Sequence, residues 1–258
     1  MADDLASPNR PRETSLPHPS DAAGSPAHRV WGPWASLGWT VLLAILLRAT
    51  PGLVAVGIGL ARRLTSSQAS LLGDGPLLAL AIVATLPAGL ALVAMLIRAQ
   101  GWLPGAYLAL VPPSGRAAVL GVSGLVLWLA VAGGTTIALD RPIVPPISLE
   151  AIFTTPLWLL TLAVAVALPI LEEVLFRGFL YRGLAEVPRL GPGIAIGMTA
   201  IAWSAFHLQD NLFGLATVYL TGLYLGMVRH FSGSLLLTIL LHCVANTVAA
   251  AEAIRFAG

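Results

Sequence analysis

The chain has 258 residues, of which 57% are hydrophobic and 10% charged, with a formal net charge of +2. Soluble domains carry about 25% charged residues, and a mean hydropathy of +0.86 is more apolar surface than a soluble core absorbs, which excludes a water-soluble globular protein. The fourteen basic side chains are all arginine and thinly spread, so no basic patch marks a nucleic-acid partner.

Residues 1–30 are rich in Pro, Ser, Asp and Ala without apolar periodicity, and read as a disordered, solvated tail that holds His18 and His28. No apolar core follows directly on a short charged start, so this is not a signal peptide. The first span is expected over about 35–60, interrupted by Arg48 and Pro51. An arginine there snorkels, meets an interior partner or marks a cavity. The second span is expected over about 77–97. "GWLPGAYLALVPPSG" is too short and too rich in Pro and Gly to cross, and reads as an interfacial turn with Trp102 and Tyr107 at the headgroup level. The third span is expected over about 117–138, and the loop "LDRPIVPPISLEAIFTT" leads into the fourth, about 156–184. The fifth, sixth and seventh are expected over about 192–208, 212–228 and 233–252.

Continuous apolar runs of helical length exclude an alternating barrel pattern. The fold class that follows is all-α: a polytopic transmembrane helix bundle of about seven spans behind the tail. Its divisions are 1–30, the N-terminal membrane helices 31–150, and a second group of membrane helices, 151–258. With the N-terminus inside, the inner segments hold Arg10, Arg12, Arg29, Arg98, Arg116, Arg182, Arg189 and Arg229, and the outer ones Arg62, Arg63, Arg141 and Arg255. That excess favours a cytoplasmic N-terminus. The single cysteine, Cys243, has no disulfide partner in the chain and reads as a small buried hydrophobe.

From residue 156 onward the intramembrane polar groups become specific. The fourth span carries Glu172, Glu173 and Arg177, the fifth Trp203 and His207, and the seventh His242 and Asn246. Ionisable groups at such depths are costly and mark function by default. Glu173 and Arg177 are four residues apart on one helix face, in the favourable order for an ion pair. Glu172 lies about 100° round the helix and is left without that partner. His242 and Asn246 are again four apart, and Trp203 is one turn from His207. At the helical rise, Glu172, His207, His242 and Asn246 lie roughly 14–22 Å from their inner helix ends, so three helices bring them to one layer. Taken singly, each has a structural reading as interhelical glue or a self-neutralising pair; their convergence is what structure alone does not require. Pro169 removes a helical hydrogen bond and is expected to kink the fourth helix, opening space beside the carboxylates.

"EEVLFR", "WSAFH" and "HCVAN" resemble, in order and on successive helices, the EExxxR, FxxxH and HxxxN motifs of the CPBP family of intramembrane proteases. That family includes the type II CAAX prenyl endopeptidases and the bacterial abortive-infection proteins. The resemblance covers about 150–252, with Trp203 where the family usually has Phe. It implies an intramembrane endopeptidase in which Glu172 and His207 activate the attacking water, His242 and Asn246 stabilise the oxyanion, and Glu173, Arg177 and Trp203 support the site. Its partners would be the lipid bilayer and a membrane-anchored or prenylated protein or peptide substrate, and its place a bacterial plasma membrane.

The same roles suit amide hydrolysis, which needs a base for water, donors for the tetrahedral oxyanion and a proton for the leaving amine. No cofactor is expected. The alternative is zinc held by Glu172, His207 and His242, although the HExxH helix is absent. "FSGSLL" does not match a serine-protease pattern, and "LLGDG" offers one loop aspartate without a membrane partner. Two other functions use the same helices: a non-enzymatic membrane immunity or scaffold protein, and a proton-coupled carrier. A carrier would show repeat symmetry and paired broken helices, and neither is evident.

Overall fold

The computed structural model describes residues 30–65, 75–141, 154–208 and 211–257. The tail expected over 1–30 lies outside them save for Val30, as do Asp74 and most of the 139–155 loop. Eight helices are present among the described residues: α1 (Pro33–Thr65), α2 (Gly75–Ala99), α3 (Pro104–Leu108) and α4 (Gly115–Ala138), α5 (Leu157–Ala185), α6 (Gly191–Ser204), α7 (Leu212–Ser232) and α8 (Leu235–Ala257). No strand occurs among those residues. The bundle turns apolar side chains outward: Leu42, Ile45, Leu53, Met95, Val119, Leu127 and Leu240 are all exposed. In water this would be an unsustainable apolar surface; in a bilayer it is the lipid face. The protein is an all-α polytopic membrane bundle.

Among the described residues six helices are long and apolar enough to cross, α1, α2, α4, α5, α7 and α8. α6 departs from the expected fifth span. Its α-helix has 14 residues, roughly 21 Å at the helical rise against a hydrocarbon core of about 30 Å. It then tightens into a 3₁₀ turn, Ala205–His207. Pro51 does not end α1, which runs on to Thr65.

α5 is the centre of the bundle. In its most apolar window 61% of residues are buried, against 28% or less in the other five spans. Leu175, Phe179, Leu180 and Leu184 of α5 meet Leu43 of α1, Val93 and Ile97 of α2, and Trp203 of α6 in one core. α6 and α7 approach closely because α7 presents glycines. A Cβ on Gly222 would come within 3.0 Å of Ala200 Cβ, and one on Gly226 within 2.9 Å of Ile196 Cγ2. Packing small residues against a neighbour is how membrane helices gain contact without a hydrophobic driving force between them.

The α3 turn packs against the bundle. Tyr107 is fully buried, with its ring 5.9 Å from Phe179 and 6.0 Å from Trp102. The cause is Arg182 of α5. Its Nη1 donates to the carbonyls of Ala106 and Tyr107 at 3.0 Å each, and its guanidinium lies 4.4 Å from the Trp102 ring centroid. The cation therefore closes the carbonyl end of α3 and draws both aromatics onto the bundle. Burial pushes the Tyr107 phenol well above its ordinary range. Arg229, read from sequence as an inner-loop charge, is likewise buried, its Nη2 directed at the Leu108 carbonyl.

α5 is not a regular α-helix. Two π-helical stretches, Thr161–Ala167 and Val174–Leu180, flank a short α segment, Leu168–Glu173, that holds Pro169 and both glutamates. The expected disturbance at Pro169 is thus taken up as a widened helix. π segments of this kind relieve a missing i→i−4 bond and re-aim the side chains next to it.

Candidate active site

The buried foundation of the site is Glu173. Its Oε1 accepts from Arg177 Nη1 at 2.9 Å, and both side chains are fully enclosed. The expected pair is formed, but it is not closed on itself. The same oxygen lies 2.9 Å from His242 Nδ1 of α8. Arg177 Nη2 donates to the Gly222 carbonyl of α7 at 3.2 Å, and its Cζ stacks 4.4 Å from the Trp203 ring centroid. One ion pair therefore ties α5 to α6, α7 and α8. Charges this deep persist only when paired and hydrogen-bonded.

Glu172 sits on the adjacent face with 20% of its side chain exposed. The sequence left it without a partner; the structure gives it one. Trp203 Nε1 donates to Glu172 Oε2 at 2.9 Å, and His242 Nε2 is 3.8 Å from the same oxygen. The Trp203 ring stands between the two histidines, 5.3 Å from each and edge-on to both. A phenylalanine, the residue usual in the motif, has no N–H to offer Glu172. The indole is thus more than a conservative exchange.

The hydrogen bonds fix the histidine tautomers. His207 Nδ1 faces the Trp203 carbonyl at 3.2 Å. A carbonyl only accepts, so Nδ1 carries the proton and the neutral ring keeps its lone pair on Nε2. His242 Nδ1 faces a carboxylate and likewise donates. Its Nε2 is then the atom turned to Glu172. Asn246, one turn beyond His242 on α8, donates from Nδ2 to the Val164 carbonyl of α5 at 2.9 Å.

Glu172, Trp203, His207, His242 and Asn246 all line one cavity of about 900 Å³. α4 supplies much of its opposite wall, including Trp128, Gly133 and Thr136. Trp128 Nε1 donates to Thr221 Oγ1 at 3.0 Å, which fixes α4 on α7. Arg48 of α1 lines this cavity and also a pocket of about 60 Å³ on the other side of Glu172 and Trp203. The α4 wall was missed: its residues are small or apolar, and nothing in their spacing sets them apart. Cys243 is half-buried. Among the described residues no group of three or more His, Cys, Asp and Glu side chains is placed to hold a metal ion.

A bundle of membrane-length apolar helices with a carboxylate, two imidazoles and an amide around one cavity defines an integral membrane protein with a polar centre among its helices. Residues 154–248 match the family model described as type II CAAX prenyl endopeptidase Rce1-like. The match spans all three motifs and bears out the resemblance they carry; the family is one of proteases, hydrolases of peptide bonds. No curated protein and no solved structure matches the chain.

Proposed function

We propose that the chain is an intramembrane endopeptidase that hydrolyses a peptide bond of a membrane-associated protein or peptide. The observation that carries the reading is the meeting of Glu172, His207, His242 and Asn246, from three helices, on one cavity. Water held between Glu172 and His207 attacks the substrate carbonyl carbon and gives its proton to Glu172 or to the lone pair on His207 Nε2. The carbonyl oxygen becomes an oxyanion, met by the His242 Nε2–H and the Asn246 amide. Protonated His242 is supported through Nδ1 by the ionised Glu173. Collapse of the tetrahedral species breaks the C–N bond. The proton taken from water passes to the leaving amine, giving a carboxylic acid and an amine, which exchange a proton to leave as carboxylate and ammonium with atoms and charge in balance.

Metal-free chemistry is the reading we favour, because Glu172 and His207 already supply a base for water and His242 and Asn246 supply oxyanion donors. The N-terminus is placed on the cytoplasmic side of a bacterial plasma membrane, supported by the arginine excess on inner segments. Prenylated substrates remain part of the proposal through the family description alone. The test compares proteins cleaved in membranes that contain wild-type protein, Glu172→Gln or His207→Ala. Products present only with wild type are expected. Identical product sets in all three would overturn the hydrolytic reading, and a pH-dependent flux altered by Glu172→Gln would point to a carrier instead.

A further inference from the structure

Asn246 does two things that the motif does not explain together: it lines the cavity, and its Nδ2 is bound to a backbone carbonyl of a neighbouring helix. Backbone carbonyls inside a helix are normally taken by the helix's own N–H groups. The reason Val164 O is open lies five residues on. In the first π stretch of α5, Leu168 N–H donates to the Ala163 carbonyl. In that register the donor for Val164 O would be the N–H of residue 169. Residue 169 is proline and has none.

We propose that Pro169 is a positioning residue for the site. By withholding a backbone donor it leaves Val164 C=O as the anchor for Asn246, and so sets the orientation of the Asn246 amide at the cavity wall. A carbonyl accepts only, so it demands the NH₂ end of the amide, and a flipped Asn246 would set oxygen against oxygen. The anchored nitrogen keeps a second hydrogen for a developing oxyanion. Val164 itself lines the cavity, so the anchor lies at the wall where the amide is needed. His242, one turn earlier on α8, is held by Glu173. Two consecutive turns of α8 are thereby pinned to α5, one through an acidic side chain and one through an orphaned carbonyl. The role of the amide in catalysis rests on the function proposed above; the anchor itself does not.

The test is a double-mutant cycle on the full chain: wild type, Asn246→Ala, Pro169→Ala and the pair. Thermal unfolding midpoints are measured in detergent, and kcat and KM in vesicles on a substrate whose cleavage needs Glu172. In Pro169→Ala the new N–H takes Val164 O. Asn246→Ala should then lower the midpoint in wild type and lower it less than half as much in the Pro169→Ala background. Pro169→Ala should reduce kcat roughly 10- to 100-fold through a loosened amide, with KM little changed, and the double variant should be no slower than Asn246→Ala. Equal midpoint losses in both backgrounds, kcat losses that multiply, or a wild-type kcat in Pro169→Ala would each overturn the proposal. If Asn246→Ala alone does not fold, folding of the double variant supports the proposal and its failure opposes it. A wild-type protein that cleaves nothing would end the protease reading, while the midpoint cycle would still decide the anchor.

Discussion

Trp203→Phe isolates a single hydrogen bond. It keeps an aromatic ring between His207 and His242 but removes the Nε1–H that meets Glu172 Oε2 at 2.9 Å. A hydrogen bond to a charged group contributes about 1.5–3 kcal/mol. Glu172 is 20% exposed, so water replaces part of the loss and the lower end applies. At about 1.4 kcal/mol per factor of ten, kcat is expected to fall roughly tenfold. Trp203→Leu removes the ring as well. It leaves Arg177 without the aromatic face 4.4 Å from its Cζ and should lower both kcat and the thermal midpoint. Initial cleavage rates in proteoliposomes, with unfolding midpoints alongside, separate the two effects. A Trp203→Phe protein with wild-type kcat would refute the reasoning. The indole N–H would then be incidental, and the aromatic face alone would be what the position requires.

Removing the buried cation should be more damaging. Arg177→Met leaves Glu173, fully enclosed, without its cation; a cost of about 3–5 kcal/mol predicts little folded protein by size-exclusion in detergent. Gly222→Ala pushes a methyl toward Ala200 and Trp203 Cε3 and should cost about 1–3 kcal/mol as overpacking, seen as a lower midpoint. Gly133→Trp meets nothing within 4 Å of its new Cβ and adds bulk at the α4 wall of the cavity, so cleavage should fall while the midpoint holds. A strong zinc chelator should leave the rate of purified protein unchanged; a loss restored by zinc would contradict the metal-free reading.

The order of helices was readable because hydropathy and length follow directly from the need to satisfy the backbone in lipid. So was the Glu173–Arg177 pair, since i, i+4 spacing on a helix leaves few alternatives. What stayed hidden depends on which apolar surface a residue meets. Protein interior and lipid are alike to a hydropathy window, so nothing in the sequence marks the burial of Tyr107 against Phe179. α6 reads as a full span because its apolar run continues through the 3₁₀ turn that ends it. The partners of Glu172 and Asn246 are set by helix rotation, not by spacing. The π stretches of α5 rotate the glutamates relative to a regular helix, and no propensity marks such a register change except, here, Pro169. The cavity wall on α4 carries no ionisable residue to mark it.

The central claim is that the carboxylate of Glu172, seated between Trp203 and His242, activates water for peptide-bond cleavage. The most direct measurement is mass-spectrometric mapping of products from purified protein in vesicles, wild type beside Glu172→Gln, with matched unfolding midpoints. The account predicts a defined cut with wild type and none above background with the glutamine variant. An equally folded Glu172→Gln protein that makes the same cut at the same rate would contradict it.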